Sequence, residues 1–249
     1  MRAFISERSL GRPGQFDIDL MHSLKGRRLC NELRCLYAVG CHRFEEKALI
    51  DEIFPALQHI VLFEPLPEPF DYLQALAAAD SRVRIVQCAI GAHDGVADFH
   101  ITNNEGESSS LLKLGKHREV FPSVTEAARI TVKVRRLASI IDELSLPRPD
   151  LLIVDVQGAE YDVLENIGEE MIGDVRLIYT EVSTEPLYVG GRPLTDVENL
   201  LRSRFDHVGF MPLAPSALMH GNSVFVARED RQLLLEASIF RRVVSWLKK

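Results

Sequence analysis

Cysteine is scarce in this chain: four residues in 249, at Cys30, Cys35, Cys41 and Cys88. No two of them have the CxxC spacing of a zinc or redox pair, so a disulfide framework or a thiolate metal centre is not expected to organise the fold. All four are expected to be reduced thiols in or near the core. Basic charge is also short. Lys plus Arg number 29 against 36 Asp plus Glu, a net charge of −7, which argues against general nucleic-acid binding, because phosphate contacts need a basic surface. No apolar run approaches a membrane span. The opening residues MRAFISERSLGRPGQ carry no continuous apolar core after their basic residues. No transmembrane segment or secretory leader is expected, and the setting is expected to be cytoplasmic. Histidines and acids lack ligand spacing, so no metal is expected either.

What is present is enough apolar material for a large core, 46% of residues, in a regular rhythm. Residues 1–33 are weakly patterned and read as a peripheral lead-in. From residue 34 to 228 short apolar runs alternate with helical spacing. RCLYAV (34–39), HIVLF (59–63) and VRIVQCAI (83–90) read as buried strands, with helices over 44–54 and 67–79 between them. This order predicts an α/β fold with a mostly parallel sheet and right-handed crossovers. The middle departs from it: 96–102 and 130–136 alternate like added strands around the polar stretch NNEGESSS (103–110). The sheet then resumes at 151–156, 175–182, 207–211 and 222–227, with helices over 137–144 and 194–203. Residues 229–249 read as a basic amphipathic helix that packs on the domain, pairs with another copy or lies on an anionic membrane.

In open parallel sheets ligands bind beyond the carboxyl ends of the strands. The residues just after each apolar run are therefore the candidates: Gly40 with His42, Glu64 with Pro65, Cys88, Ala89 and Ile90, then Asp155 with Gln157 and Glu160, and Glu181. Glu64 ends the second strand about two dozen residues after Gly40, where an acid accepts hydrogen bonds from ribose hydroxyls in nucleotide-binding folds; otherwise it is a solvated turn residue before Pro65. The loop VGCHRFEE (39–46) has one glycine where a dinucleotide fingerprint has three, with Phe44 in the place of the second. That disfavours cofactors carrying a pyrophosphate. A phosphate-free nucleoside cofactor such as S-adenosylmethionine asks less of this loop.

Taken together, VGCHRFEE, VLFEPLPEPFDYL (61–73), VQCAIGAHDG (86–95), SSSLL (108–112), LLIVDVQGAEYDVLENI (151–167), IYTEV (178–182) and GNSVFVAR (221–228) resemble the FkbM family of S-adenosylmethionine-dependent methyltransferases. The resemblance implies a Rossmann-like sheet with one antiparallel strand near the C-terminus, and O-methylation of a sugar, glycan, lipid or natural-product hydroxyl. It implies that Gly40, His42, Glu64, Pro65, Cys88, Ala89, Ile90 and Asp155 bind the cofactor. Asp155, Glu160 and Glu181 are implied at its methyl end, with Asp155 taking or orienting the acceptor's hydroxyl proton. The alternative for Glu160 is a helix-start carboxylate, favoured there by the helix dipole. The family's acid before the first glycine is absent, Tyr37-Ala38-Val39 supplying none, and Glu45 or Glu46 is the candidate substitute. Should that altered loop not bind cofactor, the chain is instead a non-catalytic interaction protein. The SSSLL segment reads as a lid over the acceptor or as a solvated loop, and His42, His93 and His117 as surface histidines.

Overall fold

The computed structural model describes residues 15–213 and 217–236. A helix α1 (Gln15–Leu24) precedes β1 (Cys35–Val39), and α2 (Lys47–Ile53), β2 (His59–Phe63), α3 (Pro67–Ala79) and β3 (Val83–Val86) follow in turn. An insertion comes next, with β4 (Ala89–Ile90), β5 (Gly95–Thr102), α4 (His117–Val120) and β6 (Glu126–Arg135). The main rhythm resumes with α5 (Leu137–Leu144), β7 (Leu151–Val154), α6 (Glu160–Glu165), α7 (Glu169–Asp174) and β8 (Leu177–Ser183). The elements α8 (Leu194–Leu201), β9 (Phe205–Pro212), β10 (His220–Ala227) and α9 (Arg231–Leu235) end the described chain.

Seven strands form one sheet in the order β3-β2-β1-β7-β8-β10-β9. β1, β2, β3, β7 and β8 pair in parallel, and β10 runs antiparallel to both of its neighbours. β1 and β7 are apolar and buried throughout because both faces are covered. On β1, Leu36 and Ala38 enter the core on one side, with Ile60, Leu62 and Ile153. Tyr37 and Val39 enter the core on the other, with Phe63, Val154 and Ile178. α3 opens with Pro67, whose missing N–H costs nothing in a first turn, and Leu73, Leu76 and Ala77 turn to the first core.

Two expectations need correction. VRIVQCAI is not one strand: β3 stops at Val86, a tight turn donates Cys88 N–H to the Val86 carbonyl (3.1 Å), and β4 leaves the main sheet to pair with β6. A small second sheet, β4-β6-β5, results. The described part of the lead-in is not peripheral, since Leu20, Met21, Leu24, Leu29, Cys30 and Leu33 are buried in the same core as β1. Their apolar residues are split between a short helix and a 3₁₀ turn, which leaves no long period to read. The C-terminal helix is described only as α9, with Leu234 buried in that core; the rest of the segment expected to be helical, beyond residue 236, lies outside the described residues.

All four cysteines are free and buried. Burial pushes the thiols of Cys30, Cys35 and Cys88 up to about 12, which keeps them protonated and inert. Among the described residues no helix is long and apolar enough to cross a membrane.

Candidate active site

The chain leaves β1 toward β2 and β3 on one side and returns through β7 and β8 on the other, so the strand order reverses between β1 and β7. A crevice opens at such a switch point. Here its two lips touch. Asp155 N–H donates to the Val39 carbonyl (2.9 Å), and Gly40 sits so close to the Asp155 carbonyl that an added Cβ would fall 1.8 Å from its oxygen. Gly40 also has φ +75°. Only glycine meets both demands.

Phe44 resolves the missing second glycine. Its φ is +56°, and that of His42 is +47°, so the loop takes left-handed turns without the residue that adopts them freely. The Phe44 side chain is 2% exposed and packs with Ile50, Ile53 and Leu62, and that burial holds the strained backbone in place. The loop keeps a glycine-like course by an apolar anchor.

A cavity of about 650 Å³ lies over the crevice, within the usual range for small-ligand sites. It reaches from Glu64 after β2 to His220 and Asn222 at the start of β10. Those strands are four steps apart in the sheet, about 19 Å at normal strand spacing. Gly40, His42, Glu64, Pro65, Cys88, Ala89, Ile90, Asp155 and Glu181 all line it. Glu64 is 4% exposed, and its two carboxylate oxygens accept the N–H groups of His42 (2.9 Å) and Leu66 (2.8 Å). This fixes the carboxylate and ties the Gly40 loop to β2. Burial outweighs these bonds and pushes Glu64 up to about 7.

At the middle of the cavity Asp155 and Glu181 are bridged by one amide. Gln157 Nε2 donates to Asp155 Oδ1 (2.8 Å) and to Glu181 Oε2 (2.5 Å), and Gln157 Oε1 accepts from the Tyr188 hydroxyl (2.5 Å). Gln157 holds this place at φ +55°. Burial and then the neighbouring Glu181 raise Asp155 well above the carboxylate range, so the pair retains a proton more readily than either acid alone. His220 Nε2 stands 3.3 Å from Glu181 Oε1.

Glu160 is not among the described residues lining the cavity. Its Oε1 accepts the N–H groups of Val156 (3.1 Å) and Gly158 (3.0 Å) and so holds the β7–α6 loop from behind. Burial and the Asp155 charge push it up to about 7. Asp155, Glu160 and Glu181 nevertheless each offer an oxygen within 4.8 Å of the others. Asp155 and Glu160 share one loop, and the pairing of β7 with β8 brings Glu181 to them. Several of their oxygens are already occupied by Gln157 and the loop amides.

Part of the polar stretch forms the roof. Ser108, Ser109 and Leu111 line the cavity, Ser110 Oγ donates to the Val156 carbonyl (3.3 Å), and the Tyr188 hydroxyl is 3.2 Å from the Ser108 carbonyl. The histidines divide three ways. His93 is exposed. His42 lines the cavity, between Glu45 Oε1 (2.9 Å) and the Glu105 carbonyl (3.2 Å). His117, expected at the surface, is 1% exposed and packs on Phe121 and Tyr188. Its Nδ1 is buried without a hydrogen-bond partner, and burial holds it down at about 4. Reading residues after each apolar run misses His220 and Asn222, because an antiparallel strand brings its first residues to that edge. Tyr188 and His117 give no linear signal.

The chain matches the methyltransferase FkbM domain over residues 53–210. It is 32% identical over 180 residues to the 2-O-methyltransferase NoeI of Sinorhizobium fredii, covering 70% of this chain and 73% of that protein. It is 30% identical over 168 residues to methyltransferase sdnD of Sordaria araneosa, covering 58% and 63%. In structure it resembles methyltransferase FkbM from Methylobacillus flagellatus KT with a TM-score of 0.50 at 14% identity, over 77% of this chain and 43% of that one. This last likeness is one of fold.

Proposed function

The chain belongs to the FkbM methyltransferase family, and on that premise we propose that it moves a methyl group from S-adenosylmethionine to a hydroxyl oxygen of a small-molecule or glycan acceptor. One observation carries the reading: buried acids from the ends of β2 and β8, with Asp155 after β7, face a single cavity over the Gly40 crevice. The donor set suits a nucleoside cation. Glu64, fixed by two backbone amides, has lone pairs left for two ribose hydroxyls. Cys88, Ala89 and Ile90 flank the base, and Glu45 and Glu46, which line the cavity near Gly40, complement an ammonium group. Bound there, S-adenosylmethionine supplies an electrophilic methyl on a cationic sulfur.

The protein's own part is positioning and proton transfer. Gln157 holds the Asp155 and Glu181 carboxylates together, and Glu160 acts as a positioning residue for their loop. A positive charge brought beside Asp155 favours its ionised form. Asp155 then accepts the acceptor's hydroxyl proton, a role worth about 10²–10⁴-fold, while orientation of the oxygen toward the methyl supplies the larger share. The relative described as a 2-O-methyltransferase supports oxygen as the nucleophile. Calorimetry with S-adenosylmethionine tests the cofactor assignment: Glu64→Ala should bind about ten- to a hundredfold more weakly, the scale of hydrogen bonds to a charged group. Equal affinities would remove Glu64 from the site, and no binding by wild type would defeat the reading.

A further inference from the structure

The charge of the cavity wall narrows the acceptor, and this inference rests on the methyltransferase reading. Six described lining residues are acidic, Glu45, Glu46, Glu64, Glu107, Asp155 and Glu181, and among the described lining residues none is Lys or Arg. Two basic side chains on the flanking segments are committed elsewhere. Arg43 pairs with Glu68 (2.6 Å) and Glu105 (3.2 Å), and Lys116 pairs with Glu185 (2.7 Å).

At the end away from Glu64 the polar groups beside Glu181 are histidine and asparagine side chains. His117, His220 and Asn222 line it, and burial keeps both imidazoles from taking up a proton readily. The Phe121 ring lies between the histidines, 4.9 Å from His117 and 6.1 Å from His220, and gives an apolar surface for a ring to rest on. Sites built for phosphate or carboxylate ligands use Arg, Lys or helix N-termini to offset the ligand's charge. Here an anionic acceptor would meet the acidic Asp155–Glu181 pair and no lining cation to offset its own charge, which disfavours binding.

We propose that the acceptor carries no phosphate or carboxylate when it is methylated: it is a neutral glycoside or glycan hydroxyl, not a sugar phosphate or a nucleotide-activated sugar. In the step the acceptor oxygen gains the methyl carbon and loses its proton to Asp155. The sulfur–methyl bond breaks, and its electron pair stays on sulfur, which becomes a neutral thioether. For a sugar acceptor, the glycosyl transfer that discharges the activating phosphate must then come before methylation.

The test uses the full chain and S-adenosylmethionine labelled in its methyl group. Cofactor binding is first established by calorimetry. The acceptors are methyl glycosides of a hexose, a 6-deoxyhexose and a pentose, the 1-phosphates of the same parent sugars, and a bacterial glycan extract, with products separated on an anion exchanger. Label is expected in the unretained neutral fraction, with any phosphorylated counterpart at least about 100-fold lower in kcat/KM. Label retained on the exchanger, or none in the neutral fraction despite bound cofactor, overturns the inference while the cofactor assignment stands. Failure of the cofactor to bind strikes the functional reading itself.

Discussion

At the Glu64 end of the cavity the contacts are made to backbone groups. Glu64 holds the amides of His42 and Leu66, and Gly40 presses against the Asp155 carbonyl. At the Glu181 end they run between side chains: Gln157 joins Asp155 to Glu181, and Tyr188 joins Gln157 to the roof. One end is therefore a fixed cradle set by chain geometry. The other is a network of side chains holding one another, and there single changes should alter chemistry more than shape.

The largest effect should come from the first end. Gly40→Ala forces a Cβ onto the Asp155 carbonyl at positive φ, and should cost about 4 kcal/mol or more and abolish cofactor binding. Denaturant unfolding and calorimetry measure both, and a stable variant that still binds would break the picture of a rigid cradle. At the other end Asp155→Asn should fold normally and bind cofactor as wild type does, yet turn over about 10²-fold more slowly or worse. Because burial and Glu181 raise Asp155, wild-type kcat/KM should fall on acidification with a midpoint above the ordinary Asp value of about 4. A drop in melting temperature together with binding would mark Asp155 as structural.

Glu160 sharpens the contrast between shape and chemistry. Its pKa is raised from 4.5 to about 7 by burial and by Asp155. The ionised form is the one the fold disfavours, so the associated stability is present below the unfolded value and is lost as pH rises through about 7. Glu160→Gln keeps an oxygen for the loop amides and should lose less stability than wild type between pH 5 and 7.5, by about 2 kcal/mol. Urea titrations at the two pH values check this, and parallel losses would show that Glu160 titrates normally. The smallest effect is expected at His117. Replacing its buried, unpartnered Nδ1 by carbon in His117→Phe should leave cofactor affinity unchanged and raise stability by up to about 1 kcal/mol. A lower melting temperature would mean the ring is held by a polar partner.

Much of the fold was legible because β1, β2 and β7 are covered on both faces, which forces continuous apolar runs bounded by turn residues. The places that misled the reading have local causes. The segment VRIVQCAI hides a strand break, since Cys88, Ala89 and Ile90 are buried whichever sheet they join. The lead-in carries core residues without a long period. In the site, Glu64 and Asp155 were visible as acids at strand ends. Their depth, and the restraint of Glu160 by loop amides, were not.

The linear order of residues determined the alternation of strands and helices, the turn at Gly40 and the presence of acids at the sheet's carboxyl edge, because periodicity and turn chemistry act over a few neighbouring residues. Tertiary structure alone decided that Phe44 holds a glycine-like turn, that Gln157 clamps Asp155 to Glu181, and that His117 and His220 close the far end of an acidic cavity. These depend on which distant segments become neighbours. Burial then sets the charge states of the carboxylates, because the cost of an ion is fixed by the medium around it and the sequence does not carry that medium.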